Sequence, residues 1–377
     1  MYSFNFIVGY IIIISLIGMV MINSFRRFII TYRIFGKAKK RDFHKQPVPN
    51  SCGVVFLFLF ILGLIILEPF ISKKDLTGLI AGGFVICVTG FWDDLKIMRA
   101  YKKLFYQLIA VVFIVIHNEL AIENLHGFLG IGLISPLLGL IFTSFIGVFM
   151  INAFNLIDGI DGLSGITSII SFAAFAIVFW LLDYKGYFGA CFLMIGIISS
   201  YLPFNFSTKR KVFMGDSGSM FIGYILFVMT MLVVNTTNPV IDNLLFDHAV
   251  LPVMPLVVFI IPIIDSASIY LYRLSIGRSP FSPDKFHLHH LFLLYTNSHL
   301  VSTLAISASL IFVIVLFSIM VFQTTTVFFI SSYFVLVFSM IIITNIIIPL
   351  QRAGFEPANP KIVVLETTPL DHSGIPA

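Results

Sequence analysis

Charge is scarce in this chain. Of 377 residues, 11% are Asp, Glu, Lys or Arg and 59% are hydrophobic, with a mean hydropathy of +1.04. A water-soluble domain carries roughly 25% charged residues, so a soluble core is excluded and the bilayer is the solvent. Cysteine is sparse as well. Cys52, Cys87 and Cys191 have neither metal-ligand spacing nor the makings of a disulfide framework, and they read as buried apolar fillers. Strand-length alternating segments are missing, which argues against a membrane barrel and leaves the helix as the way to satisfy backbone groups in lipid. No Lys or Arg precedes the first apolar run, Phe6 to Met21, whereas Arg26 and Arg27 follow it. A cleavable signal has the reverse order, so a retained helix with its N-terminus outside is expected. The net charge of +5 comes with no nucleic-acid motif, so no nucleic-acid partner is expected.

What the chain does have is a series of apolar runs. They lie at 5–23, 53–71, 76–92, 103–117, 131–152, 163–182, 186–203, 217–236, 249–272, 300–322 and 325–349. Most approach the ~20 residues that a bilayer requires. They predict an all-α integral membrane protein of about 11 transmembrane helices over residues 1–350, followed by a polar, proline-rich tail at 351–377 that is read as disordered. Alternation divides the connections into two sets. One holds 24–52, 93–102 (with Lys103 at its border), 153–162, 204–216, 273–299 and the tail. That set carries all of the 23 Lys and Arg residues except Lys73, Lys74 and Lys185. The positive-inside rule places it, and the C-terminus, in the cytoplasm.

The polar clusters all fall in this cytoplasmic set, so the active site is expected to be built from these loops. The first loop holds His44 and Lys45 beside Pro47 and Pro49; the prolines stiffen the turn, and a fixed cation at headgroup level suits a lipid phosphate. The third run ends in Asp93 and Asp94. Adjacent carboxylates repel, so either one is raised in pKa and serves as a base, or a metal joins them into a phosphate clamp; a solvated loop start is the plainer alternative. In the third loop Asn152, Asn155, Asp158 and Asp161 recur every third residue. On a helix they would form one polar stripe, and oxygen ligands of this kind select Mg²⁺ or Mn²⁺. Gly159 and Gly162 let the backbone unwind or approach a ligand.

The fourth loop contains Asn205, Lys211 and Phe213, then Gly215-Asp216-Ser217-Gly218-Ser219 entering a helix. Free N–H groups there can meet a phosphate oxygen while Asp216 supplies a metal ligand; a simple helix cap is the alternative. The fifth loop carries Arg278, His287, His289 and His290. No Cys or Glu stands at zinc-like spacing beside them, so donation to a diphosphate or sugar is favoured, with a transition-metal site or a structural cluster left open. Together the loops fit a metal-dependent transfer between a soluble anionic donor and a lipid acceptor.

From about Arg41 to Leu291, these motifs in this order resemble the polyprenyl-phosphate N-acetylhexosamine-1-phosphate transferases, a membrane family that includes the bacterial undecaprenyl-phosphate GlcNAc-1-phosphate transferases. The phospho-MurNAc-pentapeptide translocases are a sister branch with three consecutive histidines, unlike His287-Leu288-His289-His290. The resemblance implies that UDP-HexNAc and undecaprenyl phosphate yield undecaprenyl-diphosphate-HexNAc and UMP, with Mg²⁺ or Mn²⁺, in the bacterial inner membrane, where surface polysaccharide synthesis begins. It implies that Asp216 and Asn155 are metal ligands, that Asp161 and Phe213 hold uracil, and that Asp93 and Asp94 activate the lipid phosphate. Asp158 lines the same site, and Asn152 and Asn205 stand with the substrate-binding residues. Arg278, His287, His289 and His290 match the sugar and diphosphate loop, and His44 and Lys45 the first-loop basic motif. The family usually has two glycines after the first-loop prolines; here the pair is Cys52-Gly53. A homodimer is left open. The rival readings are the sister translocase and a transporter, although transport sites sit near mid-membrane and these clusters crowd one boundary.

Overall fold

The structure, a computed structural model, describes residues 4–34, 48–236, 250–275, 277 and 287–321. His44, Lys45, Arg278, the predicted span 325–349 and the tail 351–377 lie outside these residues.

The chain runs through α1 (Phe4–Thr31), α2 (Gly53–Leu67), α3 (Lys73–Leu95), α4 (Ala100–His117), α5 (Pro136–Leu156) and α6 (Leu163–Leu181). It continues through α7 (Lys185–Asn205), α8 (Gly215–Val234), the short α9 (Val253–Val258), α10 (Ile260–Ser275), α11 (Leu288–Thr296) and α12 (His299–Val321). Among the described residues, nine helices are long and apolar enough to cross a membrane: α1 to α8 and α12. Extended pairing is limited there to a single antiparallel bridge, Asn124 to Leu133.

Two expectations shift. The run 249–272 is not one rod. It breaks at Phe259 into α9 and α10, because Pro262 has no N–H for the Val258 carbonyl and its ring crowds that carbonyl. The every-third-residue stripe is also only half helical. α5 ends at Leu156, so Asn152 and Asn155 ride the helix while Asp158 and Asp161 sit in the loop beyond it.

α8 is the axis of the bundle. Of its membrane-length stretch 94% is buried, against 28% for α1, α4 and α12. Helices in lipid gain little from hiding apolar surface and pack through small residues that admit close approach. The start of α8 illustrates this. A Cβ added at Gly53 of α2 would lie 2.2 Å from the Ser217 carbonyl carbon, and one at Gly90 of α3 would lie 2.5 Å from Ser217 Cα. The first turn of α8 is thus gripped backbone to backbone from two sides. The close approach in the first-loop pair falls on Gly53, and Cys52 is simply buried before it, as are Cys87 and Cys191 in their helices. Outer helices keep an apolar lipid-facing side: on α4, Tyr101, Phe105, Ile109 and Ile116 are exposed while Gln107, Ala110, Val111 and Ile114 turn inward.

Candidate active site

The C-terminal ends of α3, α5 and α7 and the N-terminal ends of α4, α6 and α8 meet at one end of the bundle. Arg26 near the end of α1 joins them by donating to the Lys209 carbonyl at 3.2 Å.

Lys103, in the first turn of α4, is the hub. Its Nζ lies 2.9 Å from Asp216 Oδ2, 3.2 Å from Asp93 Oδ2 and 3.5 Å from Asn155 Oδ1. The cluster is well enclosed, with side-chain exposures of 14% for Lys103, 8% for Asp93 and 17% for Asp216. Buried carboxylates need such a partner, since an uncompensated charge there costs several kcal/mol. Asn155 Nδ2 donates to Asp216 Oδ1 at 3.1 Å and to Ser219 Oγ at 2.7 Å, which leaves its Oδ1 facing the ammonium.

Asp94 does something different from its neighbour. Its carboxylate accepts from Asp216 N–H (2.8 Å), Ser217 N–H (3.2 Å) and Ser217 Oγ–H (2.9 Å). It therefore caps α8 from another helix, where a negative charge is favoured by the helix dipole. The N–H groups expected to meet a phosphate are occupied by Asp94 instead, and neither Asp216 nor Ser217 acts as the cap.

In the loop after α5, Asp158 accepts from Ser164 Oγ. Burial of its carboxyl pushes its pKa up from 3.8 to about 7; the Ser164 hydrogen bond opposes this and the charges of Asp216, Asp94 and Asp161 add to it. Asp161 pairs with Lys211, its N–H donates to His299 Nδ1 at 3.1 Å, and its carbonyl accepts from Thr303 Oγ1 at 2.7 Å. Lys211 Nζ stands 5.7 Å from the centroid of the Phe213 ring, so a carboxylate, an ammonium and an aromatic face share one wall.

The histidine segment closes onto the same loop. The rings of His289 and His290 are 4.3 Å apart, and those of His287 and His289 5.4 Å. A Cβ at Gly159 would lie 2.2 Å from His289 Nε2 and 3.2 Å from His290 Cε1. Glycine at 159 is what lets these rings reach the loop. Gly162, at φ +79°, turns the chain into α6 in the left-handed region that glycine tolerates.

The structure thus gathers Asp93, Asp94, Asn155, Asp158, Asp161, Phe213, Asp216, His287, His289 and His290 at one end of the bundle. Two predicted site residues are engaged elsewhere. Asn152 exchanges both amide groups with Gln107, at 2.6 and 3.3 Å. Asn205 accepts from Gly162 N–H at 2.6 Å and donates to the Val212 carbonyl at 3.3 Å, so it shapes the loop. Lys103, His299 and Asp265, a partner of the histidines, were not singled out from sequence. For Lys103 the signal was present: a lysine in the first turn of an apolar run, nine positions after an Asp pair.

The profile of glycosyl transferase family 4 matches residues 76–234, which contain all of the Lys103 cluster. The undecaprenyl-phosphate alpha-N-acetylglucosaminyl 1-phosphate transferase of Salmonella typhi is 31% identical over 272 residues, covering 71% of each chain. The chain belongs to glycosyl transferase family 4. Similarity to this family extends further along the chain than the profile does. The decaprenyl-phosphate N-acetylglucosaminephosphotransferase of Mycolicibacterium smegmatis is 28% identical over 347 residues, 85% of this chain and 82% of that one. The Escherichia coli K12 undecaprenyl-phosphate alpha-N-acetylglucosaminyl 1-phosphate transferase is 34% identical over 144 residues, 37% of each.

Proposed function

We propose that this family 4 protein transfers an N-acetylhexosamine 1-phosphate from its UDP-sugar to undecaprenyl phosphate, releasing UMP, at the cytoplasmic face of the bacterial inner membrane. The product would begin a surface polysaccharide. The observation that carries the reading is the convergence of Asp93, Asn155 and Asp216 oxygens on Lys103 Nζ at the end of a bundle of membrane-length helices. A lipid phosphate whose tail lies in the bilayer can reach such a cluster, and so can a soluble nucleotide.

The donor set fits a hard divalent cation, since three oxygens gather around one positive atom and oxygen-only sites suit Mg²⁺ or Mn²⁺. Asp216 and Asn155 would hold it, and when bound it would screen the diphosphate and stabilise the departing phosphate. The remaining roles fall to the chain. Lys103 offers its ammonium to a phosphate, and Asp93 keeps that ammonium in place. An oxygen of the lipid phosphate attacks the donor's β-phosphorus; the new O–P bond forms as the β-phosphorus–oxygen bond to the α-phosphate breaks, and UMP leaves with the electron pair. A phosphate monoester is largely ionised at pH 7, its second pKa being about 6, so the attack needs no base. Asp94 positions Asp216 through the cap. Asp161 and Phe213 take the uracil, with Lys211 between them, and the histidines face the sugar. Asn152 and Asn205 support this site from behind.

UMP release by the detergent-purified protein, given Mg²⁺, undecaprenyl phosphate and a panel of UDP-sugars, tests the proposal. Release with a UDP-HexNAc that EDTA abolishes is the expected result and identifies the sugar. Release with UDP-MurNAc-pentapeptide alone would move the protein to the sister branch, and silence with every donor would refute transfer.

A further inference from the structure

A carboxylate that no motif pointed to lies behind the histidines. Asp265, in α10, is 1% exposed, and the two rings it meets, His287 and His289, are 4% and 2% exposed. A buried carboxylate in an apolar helix is costly unless its lone pairs are used. Here they are used by one segment. His287 Nδ1 is 2.8 Å from Asp265 Oδ2, His289 Nδ1 is 3.3 Å from Oδ1, and the His289 backbone N–H donates to Oδ1 at 3.4 Å.

An ionised carboxylate accepts hydrogen bonds and donates none. Both Nδ1 atoms therefore carry protons whether each ring is neutral or cationic, and Nε2 is the atom at which either ring gains or loses one. His289 Nε2 is buried and has no hydrogen-bond partner, and it abuts Gly159 in the loop that bears Asp158 and Asp161. A buried ring nitrogen without a hydrogen-bond partner is costly to leave unsatisfied.

We infer that Asp265 is a positioning residue: it fixes His287 and His289 with Nδ1 protonated and so presents His289 Nε2 toward the 157–162 loop as a contact for a hydroxyl or amide N–H of the sugar nucleotide. The identity of that ligand rests on the function proposed above; the proton placement does not. One ligand atom from each of Asp265, His287 and His289 lies within 4.8 Å of the others, and the three could bracket a metal ion, but a metal on the Nδ1 atoms would displace the two protons.

Two measurements on the full-length protein in detergent decide it. Nitrogen-15 NMR of labelled histidine, assigned with single His variants, should show Nδ1–H for His287 and His289 in the parent and lose that signature at one or both rings in Asp265→Asn. With UDP-GlcNAc as probe, Asp265→Asn should raise KM about 10-fold or more with a smaller change in kcat, and add nothing further in a His289→Ala background, since coupled residues are non-additive. Nε2–H rings in the parent, or equal effects in both backgrounds, would overturn the inference. So would a stoichiometric transition metal, found by elemental analysis, that Asp265→Asn removes. If the parent transfers no sugar at all, the proposed function falls while the NMR signature still decides the role of Asp265.

Discussion

Lys103 and Asp216 are separated by 113 positions in the chain and by 2.9 Å between Nζ and Oδ2. That contact ties α4 to the start of α8 and sets one positive charge among the carboxylates of the cluster. Lys103→Met should lower transfer at least ~100-fold, as expected when a group that meets developing charge is lost. It should also destabilise the protein by about 3–5 kcal/mol, the usual result of stranding the partner of a buried pair. Initial rates of UMP release and thermal unfolding in detergent check both. A variant with normal rates would remove Lys103 from the site.

Asp216→Ala should abolish transfer, whereas Lys185→Ala should be neutral. Lys185 begins α7 at the far end of that helix from Asn205, and its ion pair with Asp183 is loose at 3.8 Å and exposed. Pairs of that kind contribute roughly 0–1 kcal/mol. Activity of both variants at equal expression is the test, and an active Asp216→Ala enzyme would sink the metal assignment.

Asp94 separates a cap from a base. Asp94→Asn keeps an acceptor at the head of α8 but loses the charge, and should cost on the order of 1 kcal/mol while retaining more turnover than Asp93→Asn. Side-by-side kcat and melting measurements would reveal the opposite case. An Asn variant with unchanged stability and no turnover would make Asp94 a base after all.

Gly159→Ala would place a methyl 2.2 Å from His289 Nε2. The rings must retreat, so transfer should fall ~10–100-fold with the fold intact. Gly132→Ala, where a Cβ meets nothing within 4 Å, is the matched control. Circular dichroism and activity of the pair measure the difference, and equal activity would detach the histidines from the loop.

Asp158 gives stability a pH dependence. Its folded pKa, about 7, lies above the ordinary 3.8 because burial disfavours the charged form. The folded protein therefore holds this proton where the unfolded chain has released it. The contribution is complete below about pH 4 and is lost as pH rises through 7. Asp158→Asn lacks this loss. Its melting temperature relative to the parent should climb by a few degrees between pH 5 and pH 8, and a constant difference would contradict the buried-proton account.

The helices and the carboxylates were legible in sequence because both rest on local signals: long apolar runs, and charged residues that lipid does not tolerate without a reason. The break at Phe259 was legible only through Pro262, whose effect depends on where the helix would otherwise continue. The Asp94 cap and the Asp265 clamp could not be read this way, since each joins groups from different helices, 122 positions apart for Asp94 and Asp216 and 24 for Asp265 and His289. From sequence Lys103 reads as a topology charge, because its first-turn position explains a snorkelling lysine equally well.

The two-sided grip on the first turn of α8 bears on how this lineage can change. Exposed apolar positions such as Phe105 or Ile116 can exchange one greasy residue for another with little consequence. Gly53 and Gly90 carry no functional side chain, yet any larger residue at either would push against main chain that cannot step aside, and Asp216 would move with it. Mutational tolerance in this protein should therefore follow distance from α8's backbone rather than chemical reactivity, and two silent glycines should be nearly as intolerant of replacement as the carboxylates they align.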